Sequence, residues 1–391
     1  MRIFNIVLNN FANDSRVLKI SKSLSAAGHE VTVVALHDGR SDLPQRESMH
    51  GFQVRRVLLK SKTWSRWKPV QFIKYFEFVL TASRLCADAD ILHCNDLNAL
   101  FVGVVCRIRS RGRVRVVYDA HEHESERNGF SPAARVATRW FERMLISVPD
   151  RVITVTPSIA DDYVRLYGIR TPDIIYNAPH YVEKKERNLL RSLCGIRPDQ
   201  RIFVYQGALI RGRGIDILLD TFASLDERYC LVVIGGGVLA SRVQSYAERH
   251  RNIFYVPAVD PLKLWEYTFS ADYGIALIEN TCKSYYMCLP NKLFEFMMAE
   301  LPVIVSDMLE LERFVAQYEV GVVSRVSQYA LRDSIEAIAA ADREQYVEKI
   351  RQVKRKYTWQ EQELTLLALY EDVARLSDSV QPGRSRDAAG Q

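Results

Sequence analysis

The sequence predicts an α/β protein made of two Rossmann-like halves, each built on a parallel sheet. Three observations carry that prediction. Short apolar runs alternate with amphipathic stretches along nearly the whole chain, the period switching between that of a strand and that of a helix. The alternation pauses once, in the polar stretch 181–188 and at the breakers Gly195 and Pro198, and then starts again. The length, 391 residues, accommodates two domains of ordinary size.

In chain order, residues 2–8 read as a first buried strand. Residues 9–14 form a polar loop in which Asn13 or Asp14 can cap the next helix. That helix turns Val17, Leu18, Ile20, Leu24 and Ala27 inward, and Gly28 ends it. Arg16, in its first turn, points a cation at the loop mouth. The loop holds no glycine, so the dinucleotide fingerprint is absent although the β-loop-α-β form is present. Strands follow at 30–36 and 53–59, a helix at 70–87, and a strand from Ile91 ending at Asn95-Asp96. The run 114–118 delivers Asp119, Ala120, His121 and Glu122 to the carboxyl edge, where open α/β sheets bind ligands. A charged cluster with a histidine marks a candidate site there, although a lone histidine equally serves packing. Asp88-Ala89-Asp90 spells the string of metal-dependent transferases but precedes a strand, at the opposite edge. Residues 124–130 read as a mobile loop, 132–148 as a helix, 151–155 as a strand, 158–167 as a helix and 173–176 as a strand.

The second half opens with a strand at 202–206, then Gly207-Ala208-Leu209-Ile210-Arg211-Gly212-Arg213-Gly214 and an amphipathic helix to residue 225. Glycine permits close approach and guanidinium grips a diphosphate with two prongs, though such loops also occur as plain turns. Strands are expected at 231–234, 253–256, 273–278 and 303–305. Before the last of these lies Pro290-Asn291-Lys292-Leu293-Phe294-Glu295, a helix start opened by a proline that has no N–H to give. Lys292 and Glu295 share one face of its first turn. Lys292 suits a phosphate, and Glu295 suits paired hydroxyls such as those of a ribose; the alternative is an ordinary surface ion pair. Helices are expected at 327–357 and 359–376, and the polar residues 377–391 are expected to be disordered.

A composition of 48% hydrophobic and 26% charged residues is that of a soluble globular protein. No secretion signal and no membrane-crossing apolar run is expected. Seven cysteines without a Cys-x-x-Cys pair argue for a reducing compartment, the cytoplasm, and against a zinc site. The net charge of +6 is unevenly placed. Arg55, Arg56, Lys60, Lys62, Arg66, Lys68 and Lys74 occur with no acidic residue among them, interleaved with Trp64 and Trp67 and followed by Tyr75, Phe76 and Phe78. That mixture suits an anionic membrane surface, the alternative being a solvated face over the core. No nucleic-acid motif accompanies it.

Four segments together resemble the retaining glycosyltransferases of family 4. They are Asn13-Asp14-Ser15-Arg16-Val17, Tyr118-Asp119-Ala120-His121-Glu122, Gly207 with Arg213-Gly214, and Glu279-Asn280-Thr281-Cys282 with Pro290 to Glu295. The likeness covers nearly all of residues 1–376. It implies the GT-B fold, with parallel sheets facing a central cleft. Residues 1–180 would be an acceptor-binding domain, 181–357 a nucleotide-sugar-binding domain, and 358–376 a helix returning to the first domain. It implies transfer of a hexose or hexosamine from a nucleotide diphosphate sugar to a hydroxyl, with retention and without a metal cofactor. The Pro-Asn-Lys-Leu-Phe-Glu form resembles a bacterial subgroup that makes cell-surface polysaccharide, lipopolysaccharide or glycolipid, and the basic and aromatic residues 55–78 suggest work in the cytoplasm or on the inner face of the plasma membrane. By the same resemblance Glu295 would bind the ribose, Arg213 and Lys292 the diphosphate, with Arg211 assisting. His121 would lie near the transferred sugar and the acceptor. Arg16, Glu122, Gly207, Gly214, Glu279, Asn280 and Asn291 complete the expected substrate-binding set. Two departures stand out. Met287 occupies the place of a glutamate that contacts the sugar, leaving the sugar's identity open, and Ala208 replaces an arginine usual after Gly207. A sugar-nucleotide epimerase, or a non-catalytic nucleotide-sugar-binding protein, would share the fold.

Overall fold

The computed structural model describes residues 1–39, 42–65 and 67–378. The chain divides into two compact units, one made of residues 1–126, 130–175 and 362 onward, the other of 127–129 and 176–361.

The first unit is an eight-stranded sheet. Its strands are β1 (Arg2–Ile6), β2 (Glu30–Leu36), β3 (Arg46–Met49), β4 (Phe52–Val57), β5 (Ile91–Asn95), β6 (Arg115–Asp119), β7 (Arg151–Thr154) and β8 (Asp173–Ile174), in the order β3-β4-β2-β1-β5-β6-β7-β8. All pairs are parallel except β3 with β4. β3 had no counterpart among the expected strands. It is Arg-Glu-Ser-Met, an edge strand without an apolar run, held by backbone pairing with β4 and by the ion pair of Glu47 with Arg56 at 2.8 Å. β1, β5 and β6 are covered on both faces and so read as near-continuous apolar runs. Among the polar exceptions, Asn5 and His93 sit side by side in register, and His93 bears on the site below.

Helix Ser15–Ala26 is capped by Asp14, whose carboxylate accepts from the Val17 amide. Helices Lys68–Leu85, Asp96–Arg109, Pro132–Leu145 and Pro157–Tyr167 follow. The expected mobile loop begins differently: Glu124–Glu126 is a buried 3-10 turn, and the Glu124 carboxylate accepts from the Leu97 amide at 3.3 Å. Buried carboxylates with hydrogen-bond partners fix this stretch where polarity alone suggested solvent exposure. Helix Trp359–Asp378 joins this unit from Gln362 onward, burying Tyr370 and Val373 and pairing Asp372 with Arg151 at 2.9 Å. The expectation of disorder in 379–391 lies outside the described residues.

The second unit is a six-stranded parallel sheet of β9 (Arg201–Gln206), β10 (Tyr229–Gly235), β11 (Ile253–Pro257), β12 (Tyr273–Ala276), β13 (Val303–Ser306) and β14 (Gly321–Ser324), ordered β11-β10-β9-β12-β13-β14. Side chains alternate between two cores, Ile202 and Val204 entering one and Phe203 and Tyr205 the other. The expected linker contributes a short helix, Leu189–Cys194, that buries Leu190 fully, so it belongs to this unit's core. The single helix expected over 327–357 is two, Gln328–Ala340 and Arg343–Val353, with Asp342 capping the second, followed by a 3-10 turn at Lys354–Tyr357. Among the described residues no helix is long and apolar enough to cross a membrane.

Candidate functional site

In the second unit, the loop after β9 and helix Asn291–Met298 come together at the sheet's carboxyl edge. Gly207, Gly212 and Gly214 have φ of 126°, 84° and 67°, a region that favours glycine. At Gly214 a Cβ would lie 2.8 Å from that of Leu277, so glycine is needed for space as well. Glu279 ties this loop down: its carboxylate accepts from the Gly214 amide and its own amide donates to the Gly212 carbonyl, both at 3.0 Å. The expected substrate residue Glu279 is therefore engaged with the loop's backbone. Arg213 lies over the Tyr285 ring at 4.5 Å, while Arg211, Asn280 and Asn291 are exposed.

Lys292 is the least ordinary residue here. It is 8% exposed, its ammonium makes no hydrogen bond, and Nζ stands 3.5 Å from the centre of the Tyr205 ring. Such burial excludes the surface ion pair considered from sequence. Burial, and then the nearby Arg213, push its pKa well below the usual lysine range, against the pull of Glu295. Gly207 borders it; a Cβ at that glycine would lie 3.7 Å from Nζ. The Glu295 carboxylate accepts from Gln206 Nε2, and Gln206 in turn accepts from Thr268 Oγ1 at 2.8 Å. Met287 is buried at the end of the short helix Lys283–Tyr286.

In the first unit a second cluster sits where β5 and β6 end. Asp119 is fully buried and receives Arg16 through two prongs, Nε at 2.9 Å and an Nη at 2.7 Å. The other Nη donates to the Ile175 carbonyl at 2.9 Å. Arg16 is thus a correction to the expectation: its head is turned into the core as Asp119's partner, away from the loop mouth. A buried carboxylate needs a paired cation, and the arginine fork supplies one. Burial alone would raise the Asp119 pKa, but Arg16 and His121, with hydrogen bonds from His121 and His93, hold it well below the ordinary range.

His121 has a side chain 21% exposed, with Nε2 3.1 Å from Asn95 Oδ1 and 3.4 Å from Asp119 Oδ2. Its Nδ1 is 3.6 Å from Asp96 Oδ1. Burial works against its charged form, yet Asp96 and Asp119 outweigh it and raise the pKa. Asp96 adopts a left-handed φ of 63°, strained for a non-glycine residue. Glu122 is half-buried beside this group. Sequence reasoning brought out His121 and Glu122 and noted the Asn95-Asp96 strand end, but assigned His93, Asp96 and Tyr370 no part in the site. A histidine inside an apolar strand was the available signal for His93; Tyr370, distant in sequence, offered none. Among the described residues no three His, Cys, Asp or Glu side chains gather as metal ligands would.

Comparison with known proteins bears on the domains and the fold. Residues 14–179 match the glycosyl transferase 4-like domain, and residues 200–352 match the glycosyl transferases group 1 domain. An uncharacterized glycosyltransferase of Methanocaldococcus jannaschii is 25% identical over 258 residues, 60% of this chain and 63% of that protein. The match therefore spans less than two thirds of the relative's length. Sucrose-phosphate synthase from Thermosynechococcus elongatus has the same fold, with a TM-score of 0.78 at 20% identity over 96% of this chain and 100% of that one. Anabaena HepE, solved in complex with UDP-glucose, gives 0.73 at 14% identity over 95% and 100%. Two Rossmann-like units with parallel sheets in this pairing are the GT-B architecture.

Proposed function

We propose, from the premise that this chain joins a glycosyl transferase 4-like domain to a glycosyl transferases group 1 domain, that it transfers a sugar from a nucleotide diphosphate donor to a hydroxyl. The observation that carries the reading is the buried, unpartnered ammonium of Lys292 beside the glycine loop and Arg213. A buried cation without a hydrogen bond is costly, and a diphosphate would repay that cost by supplying anionic acceptors. Lys292, Arg213, the amides opening helix Asn291–Met298 and the exposed Arg211 would stabilise charge on the departing diphosphate. Glu295, already accepting from Gln206, has a carboxylate suited to ribose hydroxyls. His121, whose charged form two carboxylates favour, would position the sugar or the acceptor. The UDP-glucose bound by HepE, a protein of the same fold, supports a nucleotide sugar as donor.

The finer reading is a retaining transfer of a hexose or hexosamine that needs no metal, in cell-surface glycan or glycolipid synthesis on the cytoplasmic side of the membrane. Arg213→Ala and Glu295→Ala test the core of it. Transfer, read as nucleoside diphosphate release dependent on an acceptor, is expected to fall by roughly 10²-fold or more in each. Wild-type transfer in both would overturn the assignment. An epimerase would consume donor without acceptor, and a binding protein would release no diphosphate.

A further inference from the structure

A buried chain of hydrogen bonds runs from the C-terminal helix to His121. Tyr370 Oη lies 2.8 Å from His93 Nδ1, and the two rings are stacked, 10° from parallel. His93 Nε2 lies 3.3 Å from Asp119 Oδ2, the same oxygen that is 3.4 Å from His121 Nε2. His93, Asp119 and Tyr370 are almost wholly buried, and His121 alone reaches the surface. The direction of each proton follows from chemistry. Asp119, ionised by its pairing with Arg16, can only accept, so the nitrogen facing it must carry the hydrogen, which makes His93 an Nε2–H donor. A neutral imidazole then has its lone pair at Nδ1, and the Tyr370 hydroxyl must donate to it. Burial, which lowers the His93 pKa, favours this single-proton form.

We propose that Tyr370, acting through His93, is a positioning residue for His121: it fixes His93 as a neutral Nε2–H donor and so anchors Asp119 as the counter-charge of His121. The groups facing His121 are Asp119 at the end of β6, Asn95 and His93 on β5, Asp96 at the start of helix Asp96–Arg109, and Arg16 from helix Ser15–Ala26. Two carboxylates favour the imidazolium and Arg16 opposes it. A second proton on His93 would tip that balance, and the Tyr370 hydroxyl occupies the atom that would take it. The functional meaning rests on the reading of His121 as part of the transfer site; the test uses no donor, so the two can fail separately.

The test is a pH titration of the histidine ring nitrogens by proton–nitrogen NMR on the full chain, with His93 and His121 assigned by substitution. The wild type is expected to show His93 with one proton, on Nε2, and His121 charged to above its ordinary range. In Tyr370→Phe, His93 is expected to take up a second proton at Nδ1, and that added charge to lower the His121 midpoint. In His93→Gln the amide can still donate to Asp119, so the midpoint stays raised and adding Tyr370→Phe changes nothing further. The proposal is overturned if wild-type His93 carries its proton on Nδ1, if Tyr370→Phe leaves both rings unmoved, or if its effect persists with Gln at position 93. Should Tyr370→Phe lose the native spectrum, the wild-type tautomer alone decides.

Discussion

Lys292 sets function against stability at the scale of one residue. In the folded protein its pKa is depressed, while in the unfolded chain it returns to about the ordinary 10.5. Between those values the unfolded state binds more protons, so the lysine's destabilising effect is absent above 10.5, grows as pH falls from there to the depressed value, and is constant below it. Lys292→Met, of similar volume, is expected to raise the thermal midpoint, a gain on the order of 1 kcal/mol at neutral pH. The same change should weaken UDP binding by ~10-fold or more, as removal of a charge-assisted contact does. Calorimetry in buffers of differing ionisation enthalpy gives a second check. A diphosphate raises the lysine's pKa, so at a pH between the depressed value and 10.5 UDP binding is expected to take up more protons in the wild type than in Lys292→Met. Higher stability together with unchanged affinity would show that the cation serves something else.

At the scale of elements, the glycine loop and its brace form one device. Gly214 combines a φ of 67° with a neighbour 2.8 Å from where a Cβ would sit, and Glu279 holds its amide. Gly214→Ala is therefore expected to cost at least about 1–2 kcal/mol for the left-handed backbone alone, read as a lowered melting temperature. Glu279→Ala, which frees the loop without a clash, is expected to weaken UDP binding more than it lowers stability. Much of this element was legible beforehand. Strands β9, β10 and β12 announced themselves as apolar runs, and the glycines and Pro290 punctuated the loop and the helix start. What stayed hidden follows other rules. β3 is held by pairing rather than apolar content. The break at Ala341–Asp342 depends on a cap within a helical pattern. Arg16 looked like a solvent-facing cation because nothing near it in sequence shows that Asp119 waits in the core.

At the scale of the whole molecule, the surface around helix Lys68–Leu85 is the clearest feature outside the sites. Trp64, Trp67, Phe72, Ile73 and Phe76 are exposed there, near Lys60, Lys62 and Lys74. The expectation for residues 55–78 needs trimming, since Phe78 is in the core and Arg56 is buried against Glu47; Arg66 lies outside the described residues. With those exceptions, aromatic side chains beside cations suit an anionic bilayer surface. Sedimentation with vesicles containing phosphatidylserine is expected to carry the wild type down at low salt, and a Trp64→Ala, Trp67→Ala double variant much less. Equal recovery in the supernatant with and without anionic lipid would refute the contact. The two-domain plan and its family resemblance could be read from the sequence because periodicity and punctuation are local. The third piece of the first unit could be expected only through that resemblance.

That piece alters the order in which the protein can be completed during synthesis. The first unit needs residues from Gln362 onward, yet its sheet ends at β8, about 190 residues earlier. At ordinary elongation rates of roughly 5–20 residues per second, the nascent sheet waits on the order of 10 s or longer for its last helix. Throughout that interval His93 has no Tyr370 to accept from, and Arg151 has no Asp372. The second unit, continuous from Tyr176 to Glu361 apart from three residues made earlier, can close first. A released chain truncated before Gln362 would hold a later half that is complete and an earlier half that lacks its last helix.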